Sequence, residues 1–412
     1  MLGSVLAIKG GEKIRNREWP SWPVYDEMEV RAVEEVIRSG YWGGGVGVSG
    51  PKEAEFEEKF SGSHGCKYGV CVANGTIALH VALLAAGIGP GDEVIVPALT
   101  FWATGSAVLM TSATPVIVDV DPETYCMDVS NVEEAITDRT KAVIPVYNYG
   151  SAPDMDRLLK ICRERGLILI EDCARGHGFV WRNKPVGSLG DMGCFSFQQG
   201  KFMTAGEGGI IITNNRVYAE KCYAIKDCGR LREGGIEEEG IMPTEVVNWF
   251  NYRMTQIQAA ILLVQLERLE EQVRIRQRNQ IYLNKRLSEI EGIEPVKVDS
   301  RLSRHQPWPY CFKYDPKCFS GIPRNKFIMA LRAEGIPCGK PHPPLHVALY
   351  YSRWSEAYKL YLENKPSFPV SEKAYNDEAI ELPQYLFLGE SKDVDDIAEA
   401  ILKIKRHSSE LA

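Results

Sequence analysis

The chain has 412 residues, enough for two or three domains, and its 44% hydrophobic and 25% charged composition is that of a globular protein in water. A net charge of −7 argues against a uniformly basic surface of the kind that coats nucleic acid. No apolar run approaches the roughly 18 residues of a membrane span, and the opening MLGSVLAIKGGEKIR has too short an apolar stretch to predict a signal peptide.

In chain order, the pattern EMEVRAVEEVIR (27–38) predicts an amphipathic helix that stops at Ser39–Gly40. A glycine-rich stretch over 41–50 follows, then a second helical pattern over 52–60. Five β-branched runs come next: YGVCVA (68–73), EVIVPA (93–98), TPVIVDV (114–120), KAVIPVY (141–147) and LILIED (167–172). Helical patterns such as 77–86 and 154–165 separate them. Continuous apolar strands alternating with helices predict a parallel or mixed α/β sheet covered on both faces. The strand IIIT (210–213) closes this region, and a long helical pattern runs over 251–289. The remainder holds a strand candidate, YCFKY (310–314), two helical patterns and the bend PHPPLH (341–346). The expected organisation is a large α/β domain over 1–260 and a smaller C-terminal α+β domain over 261–412, entered by the long helix. A ligand site belongs at strand C-termini near their junction.

Two patterns are set aside. Gly45, Gly47 and Gly50 have the spacing of a dinucleotide fingerprint, but no strand precedes them and no helix is expected to open directly on them. His342 and His346 have the spacing of zinc ligands on a helix, but Pro341, Pro343 and Pro344 forbid a regular helix there. Eleven scattered cysteines form no CxxC pair. Reduced thiols in a cytoplasm, and no metal site, are the expectation.

The chemistry concentrates in CFSFQQGKFMTAGEGG (194–209). Lys201 sits in a glycine-flanked turn between two strands, where partial burial would make a neutral amine available. A surface-loop lysine is the plainer alternative. Asp172 ends the apolar strand LILI, where a carboxylate can hold a ring nitrogen protonated or simply cap a turn. After YGVCVA, the N–H groups of Gly75 and Thr76 open a helix and could cradle a phosphate, or the turn is an ordinary Asn/Thr cap. Phe101 or Trp102 could cover a flat ring, or be core.

Together GTIAL (75–79), GDEVIVPALTF (91–101), EDCA (171–174), VGSLGDMGCFSF (186–197), KFMTAGEGG (201–209), NYRMTQIQAAI (251–261) and FPVSEKAYNDEAIELP (368–383) resemble the DegT-type sugar and cyclitol aminotransferases, in the family's order and over nearly the whole chain. These are fold-type-I pyridoxal-phosphate (PLP) enzymes. The resemblance implies a large domain with a mostly parallel seven-stranded sheet. By matched motif, it makes Lys201 the Schiff-base and proton-shuttling lysine, and Asp172 the partner of the pyridinium nitrogen. Gly75, Thr76 and Ser196 would hold the phosphate, and Phe101 would stack on the ring. Asn251 would reach the phosphate of a neighbouring subunit, which implies a homodimer with shared sites.

Four positions depart from the pattern, one of them Trp249, which replaces the glycine before the aromatic in NYRM-type segments. Arg175 stands where Gln or His is common, near the cofactor's phenolate oxygen; Tyr147 replaces a histidine; and Gln198 gives SFQQGK in place of SFHxxK. That last form resembles the cyclitol aminotransferase and aminohydroxybenzoate synthase branch. Retention of Lys201, which a dehydratase branch replaces by histidine, argues for transamination. The expected reaction carries an amino group from glutamine or glutamate to a keto-cyclitol or keto-sugar by ping-pong exchange, with elimination or dehydration as the alternative. Arg230 is a candidate carboxylate contact, and Tyr41 and Trp42 are candidates for lining the acceptor pocket.

Overall fold

A computed structural model of the chain describes residues 5–44, 49–230, 249–350 and 367–411. Helix α1 (Glu27–Ser39) starts where the Asp26 carboxylate accepts the Met28 N–H and Glu29 reaches back to the Asp26 N–H; it stops at Gly40 in the left-handed region. Helix α2 (Pro51–Ser63) opens directly after Gly50, earlier than its hydrophobic pattern alone indicates, because Pro51 suits a first helical position. The second helix therefore opens directly on the glycine-rich stretch, contrary to expectation; what precedes that stretch is α1, not a strand. Residues 45–48 lie outside the described residues.

The alternating region folds as β1 (Tyr68–Val72), α3 (Gly75–Ala85), β2 (Glu93–Pro97), α4 (Ala103–Met110), β3 (Thr114–Val118), α5 (Val129–Ala135), β4 (Thr140–Val143), α6 (Met155–Arg165) and β5 (Ile168–Asp172). After the short β6 (Val180–Trp181) and β7 (Lys184–Pro185) come β8 (Met192–Ser196), β9 (Gly209–Thr213) and α7 (Arg216–Lys226). Seven strands form one sheet in the order β1-β9-β8-β5-β4-β2-β3, parallel except for β9, as expected for fold-type-I PLP enzymes. Successive side chains split between two cores. Cys71 and Ile95 join the layer of α2, α6 and the helix after residue 255, whereas Val70, Val72, Val94 and Val96 join the layer of α3, α4 and α7. Strand β4 is shorter than the run KAVIPVY, because Pro145 has no N–H to donate; beyond Val143 only Val146 bridges to Asp172.

Helix α8 (Gln256–Ser288) begins five residues later than the helical pattern, because Thr255 and Gln258 form a capping box and Asn251 is held in a bridge to Asp227. Its first half packs Leu262, Leu269 and Val273 into the sheet's core, while Leu283 and Leu287 enter a different cluster. Around that cluster lie β10 (Ile293–Pro295), β12 (Tyr310–Tyr314), α9 (Arg324–Ala333), β13 (Ala379–Leu382) and α12 (Ser391–Arg406), with β10-β12-β13 as a small antiparallel sheet. β11 (Leu302–Arg304) instead pairs with β6, and α10 (Leu345–Tyr350) and α11 (Pro369–Lys373) complete the described elements. The N-terminal segment also reaches the second cluster: Leu6 is part of it, and the buried Arg15 pairs with Asp393 and Asp396 of α12. No helix among the described residues is long and apolar enough to cross a membrane.

One buried ion cluster ties α2 to α7. The Lys226 ammonium lies 2.6 Å from Glu53 and 3.2 Å from Glu57, all three almost free of solvent. The two carboxylates hold Lys226 protonated well above its ordinary range, and burial raises the Glu53 carboxyl. Replacing Lys226 by Met strands two carboxyl groups in the interior and is expected to cost about 3–5 kcal/mol of stability. Denaturant unfolding at neutral pH reads the loss, and adding Glu53→Gln and Glu57→Gln should return part of it.

Candidate active site

Because β9 runs opposite to its neighbours, β1, β8, β5, β4 and β2 all end at one edge of the sheet. There β5 ends at Asp172, in register with Cys194 of β8, and β8 ends at Ser196 two residues on. From β1 the chain turns through Ala73 and Asn74 into α3. The Asn74 side chain caps the Ile77 N–H at 3.0 Å, and Gly75 and Thr76 lie in the first turn, where N–H groups have no partner within the helix. The packing here admits only glycine. A Cβ on Gly75 would lie 2.5 Å from the Ser196 Cβ, and one on Gly209 would lie 2.5 Å from the Asn74 backbone. Gly75, Thr76 and Ser196 thus share one concave corner.

Neighbouring acids on β5 point to opposite faces and meet different fates. Glu171 is fully buried and satisfied by the Tyr147 hydroxyl and by the N–H groups of Gly187, Leu189 and Gly190. This accounts for Tyr147, whose phenol is spent on Glu171 and does not enter the site. Asp172 is 5% exposed and accepts the Ala174 N–H at 3.1 Å and the Thr104 hydroxyl at 2.9 Å. Burial raises its carboxyl, while these two donors and the charges of Lys201 and Arg175 pull it back.

Lys201 follows β8 in the turn that Gly200 and Gln198 shape, its N–H bonded to the Gln198 carbonyl. Its ammonium lies 4.1 Å from the centre of the Trp308 ring, and the Arg175 guanidinium carbon lies 4.9 Å from the same ring. Burial lowers the Lys201 pKa to about 7, Arg175 pushes the same way, and Asp172 and Glu207 oppose both. Arg175 is itself buried, oriented by a hydrogen bond to the Asn148 side chain.

The structure therefore brings Lys201, Asp172 and Arg175 into one electrostatic group. Phe101 stands at its rim, 37% exposed, against Trp102 at 4.6 Å and His342 at 5.2 Å. His342 faces these rings, whereas His346 in α10 lies 3.3 Å from Glu372, so the two histidines diverge. Asn251 is exposed, and Arg230 sits 3.5 Å from the Asp227 carboxylate. Tyr41 and Trp42 are exposed, the Trp42 indole donating to the Ile37 carbonyl. No hydrogen bond or ion pair among the described residues joins these four to Lys201, Asp172 or Arg175. Sequence reasoning missed Trp308, Thr104 and Asn148. Thr104 has a usable signal, a polar residue in the first turn after β2; Trp308, a hundred residues from the lysine, has none.

The chain matches the DegT/DnrJ/EryC1/StrS aminotransferase family over residues 23–402. It is 36% identical to the L-glutamine:2-deoxy-scyllo-inosose aminotransferase of Streptoalloteichus tenebrarius, over 98% of this chain and 99% of that protein. It is also 36% identical to the L-glutamine:scyllo-inosose aminotransferase of Streptomyces griseus, over 98% of both. Among solved structures, 3-amino-5-hydroxybenzoic acid synthase superposes with a TM-score of 0.84 at 31% identity, covering 95% of this chain and 99% of that one. A Bacillus subtilis protein solved with bound cofactor PMP superposes with a TM-score of 0.80 at 26% identity, covering 95% and 86%.

A lysine with a pKa near 7 leaves roughly half its amine neutral at pH 7, against fewer than about one in a thousand for an ordinary lysine. Lys201 is therefore expected to outpace every other lysine in acylation at pH 7, its rate falling as pH drops. Arg175→Gln should shift that profile to higher pH, and mass-spectrometric mapping of the labelled lysines checks both.

Proposed function

The chain belongs to the DegT/DnrJ/EryC1/StrS aminotransferase family, and from that premise we propose that it transfers the amino group of L-glutamine to the ketone of a cyclitol, with pyridoxal phosphate bound at the Lys201 site. The observation that carries this reading is the desolvated Lys201 amine, about half neutral at pH 7, within electrostatic reach of the Asp172 carboxylate. Support for the amino donor and for the ring class of the acceptor comes from the relatives named above.

Several features fit the cofactor. The glycine-only corner of Gly75 and Ser196 at the start of α3 suits a phosphate, which backbone N–H groups and a helix N-terminus favour. Asp172, oriented by Thr104 and the Ala174 N–H, would hold a proton on the ring nitrogen. Phe101, at the rim, would lie against the ring. PLP supplies an aldehyde that bonds an amine and a ring that accepts the electron pair left when the amine-bearing carbon loses its proton.

The remaining work falls to the chain. Lys201 Nζ, about half neutral at pH 7, would hold the cofactor's aldehyde and, once freed, would take the proton from the donor's amine-bearing carbon. The same nitrogen later delivers a proton to the acceptor carbon. Trp308 covers the amine and excludes water, and Arg175 favours the neutral form and offers its charge to an oxyanion. Donor and acceptor occupy one site in turn, so ping-pong kinetics follow. Asn251, exposed on its own chain, would contact the phosphate in a partner subunit, giving a homodimer with two shared sites.

With glutamine and no acceptor, the PLP form should lose its visible absorbance and release one equivalent of 2-oxo acid per site. An eliminating enzyme would release none, and that result overturns the reading. Lys201→Ala should abolish borohydride trapping of the cofactor on the chain. Mixing Lys201→Ala with Asn251→Ala subunits tests sharing separately: hybrid dimers regain one intact site, so activity should recover to about a quarter of wild type.

A further inference from the structure

A cavity of about 500 Å³ opens beside Trp308, the ring that covers Lys201. Arg175, Cys338, His342 and Glu381 line it, with the exposed Arg332 also on its wall. Glu381 is the one carboxylate of this wall. It is held on β13 by reciprocal backbone bonds with Gly339, at 2.8 and 2.9 Å. Its Oε1 is buried with no hydrogen-bond partner, and no ion pair among the described residues joins Glu381 to Arg175. Arg175 is occupied by Asn148 and Trp308 instead.

Glu171 shows how this chain treats a buried carboxylate that serves only the fold: a phenol and three backbone N–H groups saturate it. Glu381 has the Tyr149 phenol as its one side-chain partner and its Oε1 is left without a donor, although a buried acceptor without a donor is costly. Its missing donor is therefore expected from a ligand in the cavity. The end of the ligand that meets Glu381 must bring an N–H or O–H and no negative charge, because a second carboxylate at that point would be repelled. Cys338 and Trp308 offer no charge, and His342, exposed at the cavity's edge, is held neutral with a pKa of about 4 by desolvation of its ring and by the nearby charges of Arg175 and Lys201.

We propose that Glu381 is the residue that selects the amino donor: its unpartnered carboxylate oxygen receives the terminal carboxamide N–H of glutamine and turns away the terminal carboxylate of glutamate. This rests on the reading of Lys201 as the reactive amine and adds to it the discrimination between two donors of nearly the same shape. Hydroxyl groups of a cyclitol meet the same oxygen in the second half of the exchange without conflict.

The test compares kcat/KM for glutamine and glutamate in the wild type and in Glu381→Gln. The wild type should prefer glutamine, and the variant should lose that preference by about tenfold or more. The change should sit in KM, with kcat and bound-cofactor absorbance retained, because Glu381 does not move the proton. An unchanged ratio, or a loss confined to kcat, overturns the proposal. A second measurement needs neither the variant nor turnover. Calorimetric binding of glutaramate and of glutarate to the wild-type holoenzyme should favour the carboxamide; equal affinity, or preference for the diacid, overturns the proposal. Absence of turnover with every donor would instead count against the aminotransferase reading, while the calorimetric preference would still decide the role of Glu381.

Discussion

Removal of one amine from water governs the rest of this structure. An ammonium group in bulk solvent keeps its proton to above pH 10, and no neighbour alone changes that by three units. Lys201 reaches a pKa of about 7 because the Trp308 ring and the turn after β8 close over it and Arg175 stands nearby. Burial costs stability, so the elements that enforce it must be held firmly from elsewhere. The sheet holds Asp172 and Ser196 through continuous backbone pairing. The α3 N-terminus is clamped against β8 at contacts that no Cβ fits. Trp308 arrives from the far part of the chain, between β11 and β12, and packs against the sheet's core, so the amine is covered only when that distant segment is docked there. Folding and reactivity are thereby coupled through a single ring.

Much of this was legible in the sequence, and the physical reason differs by element. Strands β1, β2, β3 and β5 declared themselves as unbroken apolar runs because both faces are covered by helices. Lys201 and Asp172 stood out by context, an amine between glycines and an acid ending an apolar run. Where local rules competed, the pattern misled. The periodic stretch before Thr255 reads as helix, yet the capping box sets the true start. The run around Pro145 reads as strand, yet the ladder stops where a donor is missing. Strands β10 and β13 are three and four residues long, too short for their alternation to register. Contacts that join distant segments left no trace at all: Trp308 over Lys201, Arg15 on α12, and Arg175 turned toward Asn148.

Arg175 is the departure from pattern with the largest consequence. A neutral residue at that position would leave Lys201 to be deprotonated by burial alone. The guanidinium adds a repulsion that favours the neutral amine and at the same time pulls on the carboxyl groups of Asp172 and Glu381. Had Glu381 closed onto it as an ion pair, both effects would be largely cancelled, since a neutralised pair has little field at a distance. The structure avoids this by giving Arg175 a neutral partner, Asn148, and an aromatic face, Trp308. The charge is thus positioned without being spent. The pocket keeps a net positive wall on the side of Lys201, suited to a phosphorylated cofactor and to an amino acid's carboxylate. Glu381 supplies the one carboxyl on the other side, its ionisation opposed by burial and favoured by Arg175 and the Tyr149 phenol. A site that must hold an amino acid and a polyol in succession needs that asymmetry, because the two ligands share an attachment point and differ in charge beyond it.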